Sequence, residues 1–383
     1  MSFEIGVDDL PALVLGSSVL ACGGGGNPYY GQLVAREVLA KSGPVSVIEL
    51  DEMEPDSLAI MSVLMGAPLV GIEKPLGLTA LLSGFRAVEG STKARIGAFV
   101  AAEVGGAQSM LPLLLSAQSG RPTLDGDGMG RAFPEAQMCT FLIHGMFPGA
   151  PLALSDDHGL LFRLPYQPSK RRNPRFGGTG RAGRLFGVAI ERVLRRYCAY
   201  KGGLIQITAS LDRSSLERSL VRGSFRLALE IGRAVEAART SGEDPVAPIS
   251  EIAGGRRLLA GKVADVERRF RGGHDWGVLR IDGLDEDRGL RAEVSFKNEF
   301  LILRVDGRVV LTVPDLIAVV ERETGTPVTT EVLRPGLRIA VLGLPCTPLY
   351  HTPEALRVVE PRAFGYDLPF VRLADECRGG EEA

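Results

Sequence analysis

Three short stretches of this sequence gather residue types that can do chemistry. The first is "CGGGGN", in which Gly23, Gly24, Gly25 and Gly26 stand between Cys22 and Asn27. Bare backbone N–H groups just ahead of a helix can cradle an anion or a carbonyl oxygen, aided by the helix dipole. Donors of that kind are what an oxyanion intermediate needs. The same glycines would also let two helices, or a helix and a sheet, turn tightly against one another. The second stretch is "EVGG" (103–106) and the third "DGDGMGRAFPE" (125–135). Together with "GAPLVGIEK" (66–74) they supply Glu73, Glu103, Asp125, Asp127, Arg131 and Glu135. Carboxylates gathered in a cleft act as general base and acid, or bind a divalent cation. Singly, each of them also suits a helix cap or a turn.

Other chemistries are served less well. The glycine run matches neither the dinucleotide fingerprint nor the phosphate loop, so no nucleotide cofactor is expected. "DGDG" is half of a calcium loop, without the bidentate glutamate that closes one. His144, His158, His274 and His351 show no HxxxH or HExxH spacing, which argues against a histidine-dominated metal site. The five cysteines are scattered without CxxC spacing and read as reduced thiols. Cys22, beside the glycines, is either a small buried residue or a thiol activated by a nearby helix end.

The elements that must position these residues alternate. Helical patterns at 9–21, 31–41, 75–88, 107–118 and 134–142 are interleaved with apolar runs at 45–50, 57–66, 95–106 and 122–127. That alternation predicts an α/β N-terminal domain with a mostly parallel sheet. In such sheets ligands sit beyond the carboxyl ends of the strands, where the acidic turns fall. The tract 165–184, rich in Arg, Pro and Gly, reads as an exposed loop. Beyond it, 186–199 and 214–239 read as helices, the second restarting at Ser224 as a plausible N-cap. From about 255 short apolar strands separated by turns predict a smaller β-rich C-terminal domain ending in an irregular tail. Trp276 reads as a packing residue.

A chain of 383 residues fits two domains, expected here at 1–245 and 246–383. With 44 Lys+Arg against 46 Asp+Glu, no global charge recruits nucleic acid or a membrane, which leaves small molecules and proteins as partners. The opening "MSFEIGVDDL" is acidic where a secretory signal would be basic, and no apolar run is long enough to span a bilayer. A cytoplasmic homo-oligomer is therefore expected.

The segments "VLACGGGGNPYYGQLVAREVL", "MGAPLVGIEK", "DGDGMGRAFPEAQM" and "SFRLALEIGRAV" come first in the chain. "GKVADVERR", "SFKNEFLIL", "VPDLIAVV" and "PRAFGYDLP" follow in order. This set, running from about residue 8 to 370, resembles the S-methyl thiohydantoin desulfurase-like family. The resemblance implies a two-domain protein acting on a five-membered cyclic imide. The namesake reaction replaces the methylthio group of an S-methyl thiohydantoin with oxygen, releasing methanethiol. On that reading Asp127 or Glu103 is the base, Glu73 or Asp125 its partner, and Arg131 orients a ring carbonyl. The glycines and Asn27 hold the ring's polar edge, and a divalent metal at Glu73, Glu103 and Asp127 is a subsidiary expectation. Cys22 and Asn27 depart from the Thr and the acid usual in the family. They open the alternative of a non-catalytic binding module partnering a hydantoinase-like enzyme.

Overall fold

Apolar, β-branched runs such as Ile96–Ala101 bury every second residue and more, which suits strands covered on both faces. The computed structural model describes residues 1–26, 28–66, 77–145, 151–164, 181–200 and 204–373. The chain groups into two compact units. The first comprises Met1–Val14, Gly25–Gly130 and Glu135–Arg226; the second comprises Leu15–Gly24, Arg131–Pro134 and Leu227–Ala383.

The first unit is built on nine strands: β1 (Phe3–Ile5), β2 (Val45–Ile48), β3 (Leu58–Gly66), β4 (Ile96–Ala101), β5 (Thr123–Asp127), β6 (Leu152–Asp156), β7 (Gly159–Leu164), β8 (Leu204–Asp212) and β9 (Val221–Arg222). Their order is β1-β2-β5-β4-β3-β8-β6-β7, with β9 on β5. The heart of the sheet, β2-β5-β4-β3, is parallel, as the alternation predicts. The crossovers from β3 to β4 and from β4 to β5 carry the helices Leu78–Glu89 and Met110–Ser119. Phe85 of the first packs edge-on against Phe99 of β4, with ring centroids 5.3 Å apart.

Antiparallel strands extend this centre: β1 on one side, and β8, β6 and β7 on the other. The sequence-based expectation does not include β6, β7 or β8. Yet "LIQITASLD" alternates apolar and polar residues in the way a strand should. The helix expected at 134–142 is instead a short 3-10 turn, Ala136–Met138, followed by a π turn, Phe141–Gly145. Thr140 holds that segment down, giving its N–H and its hydroxyl to the Gly128 carbonyl and its hydroxyl also to that of Ser219. The helical stretch expected over 214–239 with a restart at Ser224 is two helices, Arg213–Ser219 and Ser224–Ser241, with β9 between them. Most of the basic tract 165–184 lies outside the described residues; its end forms the start of the helix Arg181–Tyr200.

The second unit holds an all-antiparallel sheet: β10 (Arg256–Arg271), β11 (His274–Gly283), β12 (Arg291–Lys297), β13 (Glu299–Val305), β14 (Arg308–Thr312), β15 (Leu316–Glu321) and β16 (Arg338–Leu344). The order is β14-β13-β12-β11-β10-β16-β15, so sequence neighbours pair through hairpins except where β16 returns between β10 and β15. Its core joins Leu259, Leu279, Val294, Phe296, Ile317 and Val341. The tail is more ordered than expected, with a 3-10 turn at Pro348–His351 and a helix at Pro353–Val359. One glycine outside the run matters to packing: a Cβ on Gly16 would lie 1.8 Å from the Ala228 carbonyl oxygen, so only Gly lets these helices meet. No helix among the described residues is long and apolar enough to cross a membrane.

Candidate active site

Strand β5 ends in the acidic turn, and its two aspartates do different jobs. Asp125 Oδ1 accepts the backbone N–H groups of Phe225 and Arg226 at 3.0 and 3.2 Å, in the first turn of the helix Ser224–Ser241. Arg226 Nε stands 3.5 Å from Oδ2. Burial raises the Asp125 carboxyl above its ordinary range, against the pull of these donors. Asp125 thus supplies the acceptor expected of Ser224 as a cap. Ser224 instead donates its hydroxyl to Asp127 Oδ1 at 2.5 Å.

Asp127 is fully buried. Its Oδ2 accepts three N–H groups, from Val104 at 2.8 Å, Met129 at 3.1 Å and Gly130 at 2.8 Å. Burial pushes its carboxyl up to about 6 despite these bonds. The side chain therefore ties the β5 turn to the end of β4. Its oxygens are largely committed, and the water-activating role expected of it does not follow from this geometry.

Glu103 stands just past β4, buried and adjacent in sequence to Val104. Glu103 and Asp127 share a neighbour in Cys139, whose thiol is pushed up to about 12 by burial and by these two charges. Sequence reasoning does not single out Cys139. Its neighbour Gly128 leaves room for it, since a Cβ there would stand 2.5 Å from Sγ.

The glycine run and the "EVGG" turn do converge. Ala107 donates its N–H to the Gly25 carbonyl at 3.0 Å, and a Cβ on Gly25 would lie 2.6 Å from the Gly105 carbonyl oxygen. Gly25 and Gly26 both have φ of +77°, and Gly106 has +56°. Backbone meets backbone here in a way that side chains would block. No backbone carbonyl among the described residues accepts from the N–H of Gly25 or Gly26. Glu103, Asp127 and this half of the run are what the first unit brings together. Glu73 and Asn27 lie outside the described residues, so the carboxylate pair and metal set that include Glu73 do too.

Arg131, expected to orient a ring carbonyl, belongs to the second unit, where its bonds are to backbone carbonyls. It is fully buried. Nε donates to the Ala132 carbonyl at 3.1 Å, Nη1 to those of Pro314 and Asp315 at 3.1 and 2.8 Å, and Nη2 to that of Phe300 at 3.1 Å. The guanidinium lies 4.6 Å from the Phe133 ring centroid. Four of its five N–H donors go to the protein's own backbone.

The other half of the glycine run packs in this second unit against a charged turn to which the sequence reading gives no role. Lys297 ends β12, Asn298 turns with φ +57°, and Glu299 opens β13. Lys297 and Glu299 are both buried. The Lys297 ammonium lies 5.0 Å from the Trp276 ring centroid and 5.7 Å from that of Phe364. Trp276 is therefore more than packing. Asn298 Oδ1 accepts the Asp275 N–H at 2.9 Å, which leaves its amide to donate to His274 Nδ1 at 3.2 Å. A Cβ on Gly24 would reach within 2.0 Å of Glu299 Oε1, and one on Gly23 within 2.6 Å of the Phe300 ring. The signal available in the sequence is a Lys-Asn-Glu triplet, two opposite charges about a turn residue, interrupting two apolar strands. Cys22, with φ of +51°, gives its carbonyl to the Phe300 N–H at 2.9 Å. Burial pushes its thiol up to about 11, which keeps it protonated and argues against a nucleophile.

Among the described residues one group of three possible metal ligands occurs, Asp315, Cys346 and His351, and it lies in the second unit. No curated protein matches this chain. A crystal structure of a protein from Chromobacterium violaceum superposes with a TM-score of 0.73, covering 97% of this chain and 100% of that one at 22% identity. That likeness speaks for the fold alone. The models of the S-Me-THD-like family match the chain twice, its N-terminal domain over residues 8–164 and its C-terminal domain over 187–373. With both domains matched in order, the chain belongs to the S-Me-THD-like family.

Proposed function

We propose that this protein is a hydrolase acting on a five-membered cyclic imide, replacing the methylthio group of an S-methyl thiohydantoin by oxygen. Family membership supports the substrate class. The observation that carries the chemistry is Glu103, a buried carboxylate beside a turn packed on Gly25 and Gly26. Glu103 takes a proton from water, and the oxygen adds to the ring carbon that bears sulfur. The glycine N–H groups stabilise the charge that develops on the ring. The tetrahedral adduct then breaks its C–S bond, and the thiolate leaves with the proton returned by Glu103. The products are a hydantoin and methanethiol.

The test is release of methanethiol and appearance of hydantoin on incubation with S-methyl thiohydantoins. Glu103→Gln is expected to lower turnover by roughly 10²–10⁴-fold. Retention of full turnover in that variant would remove Glu103 from the mechanism. The commitment of the Asp125 and Asp127 oxygens favours a second reading, a binding module without turnover. Micromolar binding of the cyclic imide with no product would establish that reading instead.

A further inference from the structure

Three side chains of the second unit meet for reasons visible in the strand register. β15 and β16 are antiparallel neighbours, and Leu316 pairs with Leu344. Asp315 immediately precedes β15 and Cys346 follows β16 by two residues, so both fall at the same end of the pair. The 3-10 turn Pro348–His351 then brings His351 back over Cys346. One ligand atom from each residue lies within 4.8 Å of the other two.

The spacing matches coordination geometry. Zinc–sulfur bonds of about 2.3 Å and zinc–nitrogen bonds of about 2.0–2.1 Å, at a tetrahedral angle, place the two ligand atoms about 3.5 Å apart. Cys346 Sγ and His351 Nε2 stand 3.5 Å apart. The Asp315 carboxylate is held in place from both sides, with Oδ1 accepting the Cys346 N–H at 2.9 Å and Oδ2 the Leu373 N–H at 2.8 Å. Hydrogen bonds of this kind orient a ligating carboxylate and leave each oxygen a lone pair. Cys346 and Asp315 are buried, and His351 is partly exposed, which gives an ion a way in.

We propose that the second unit binds one zinc-class divalent cation through the Asp315 carboxylate, the Cys346 thiolate and His351 Nε2. The thiol proton passes to solvent as the metal–sulfur bond forms. Thiolate and carboxylate together balance the charge of the dication. Three protein ligands leave a fourth position for water. Two guanidiniums oppose binding with like charge: buried Arg131, whose charge is felt at Cys346, and Arg372. Arg372 Nη2 stands 3.2 Å from His351 Nδ1 and 3.4 Å from Nε2, and guanidinium only donates. It competes for the ring lone pair and adds like charge, so it must turn outward when the ion enters.

The experiment titrates Co²⁺, and separately Zn²⁺, into the full chain stripped of metal. Saturation at one ion per chain is expected, with a thiolate-to-cobalt charge-transfer band in the near ultraviolet. Cys346→Ser loses the band. His351→Ala keeps the band but weakens binding by roughly tenfold or more. Arg372→Ala tightens binding by roughly threefold. A thermal melt of each metal-free variant checks folding, and should Cys346→Ser fail to fold, the His351 and Arg372 variants carry the test. Absence of saturable binding by the parent chain at micromolar metal overturns the proposal. So does a charge-transfer band that survives in folded Cys346→Ser, or binding indifferent to both His351→Ala and Arg372→Ala.

Discussion

Asp127 and Arg131 stand four residues apart in one glycine-rich turn and are both fully buried, yet the anion belongs to the first unit and the cation to the second. Each is met mainly by backbone dipoles, which at Asp127 do not offset the cost of burial. Asp127 takes three N–H groups and a hydroxyl. Arg131 gives its protons to four carbonyls. The contrast teaches that the charges most conspicuous in the sequence are spent on holding loops in place. Burial also makes Asp127 sensitive to pH, since it pushes the carboxyl up to about 6.

The largest expected effects remove either ion. Asp127→Ala leaves the N–H groups of Val104, Met129 and Gly130 without their acceptor. Arg131→Ala does the same to the carbonyls of Phe300, Pro314 and Asp315, which lose their donor. Each variant is expected to lose about 3–5 kcal/mol in denaturant unfolding, the scale for breaking a buried charged network. A loss below about 1 kcal/mol in either would break the parallel between them.

Asp127→Asn sharpens the difference. The folded carboxyl, near 6, lies above its ordinary value of 3.8, so the folded state binds the proton more tightly. Stability from this group is fully present below pH 3.8 and is lost as pH rises through about 6. The span of about two units corresponds to about 3 kcal/mol. Asparagine can keep the geometry, with Oδ1 toward the three N–H groups and its amide toward Ser224, whose hydroxyl also reaches the Val221 carbonyl at 3.1 Å. Unfolding free energies measured from pH 4 to pH 7 are expected to fall more steeply in the parent than in this variant. Parallel curves would mean that Asp127 is already ionised across the range.

How much of this was legible in the sequence divides along physical lines. The parallel centre and the β-rich second unit follow from apolar periodicity, a property of neighbouring residues. The antiparallel extension carried by β8 was legible too, in the alternation of "LIQITASLD", but sits where no parallel βαβ pattern calls for it. The acidic turn was recognisable as special by its glycines, of which Gly130 takes a positive φ while Gly126 and Gly128 leave no room for a Cβ. What its aspartates do was not fully legible: the N–H groups of Met129 and Gly130 are local to the turn, but those of residues 104, 225 and 226 come from far along the chain. Lys297 and Glu299 were hidden for the opposite reason: two charges flanking an Asn in a hairpin read as a solvated turn until burial is known. The grouping of Asp315, Cys346 and His351 needs the register of β15 on β16, which spacing alone does not give.

The glycine run supplies the finest comparison, because its two halves meet different surroundings. A methyl on Gly24 would stand 2.0 Å from Glu299 Oε1 and 2.6 Å from its Cδ, in the second unit. The neighbour is a side chain, but a buried one, so moving it disturbs the turn that carries Lys297. Gly24→Ala is expected to cost about 1–3 kcal/mol, as overpacking does. Gly26 differs: its nearest contact would be the Ala107 Cβ at 3.8 Å, and only its φ of +77° resists a side chain. Gly26→Ala is expected to cost about 1–2 kcal/mol of left-handed backbone strain while keeping its N–H. If the second half of the run serves the ring through N–H groups alone, Gly26→Ala keeps most of its turnover of S-methyl thiohydantoin. Comparable stability with lost turnover in Gly26→Ala would show that the bare Cα itself, and not only the N–H, is what the ligand approaches.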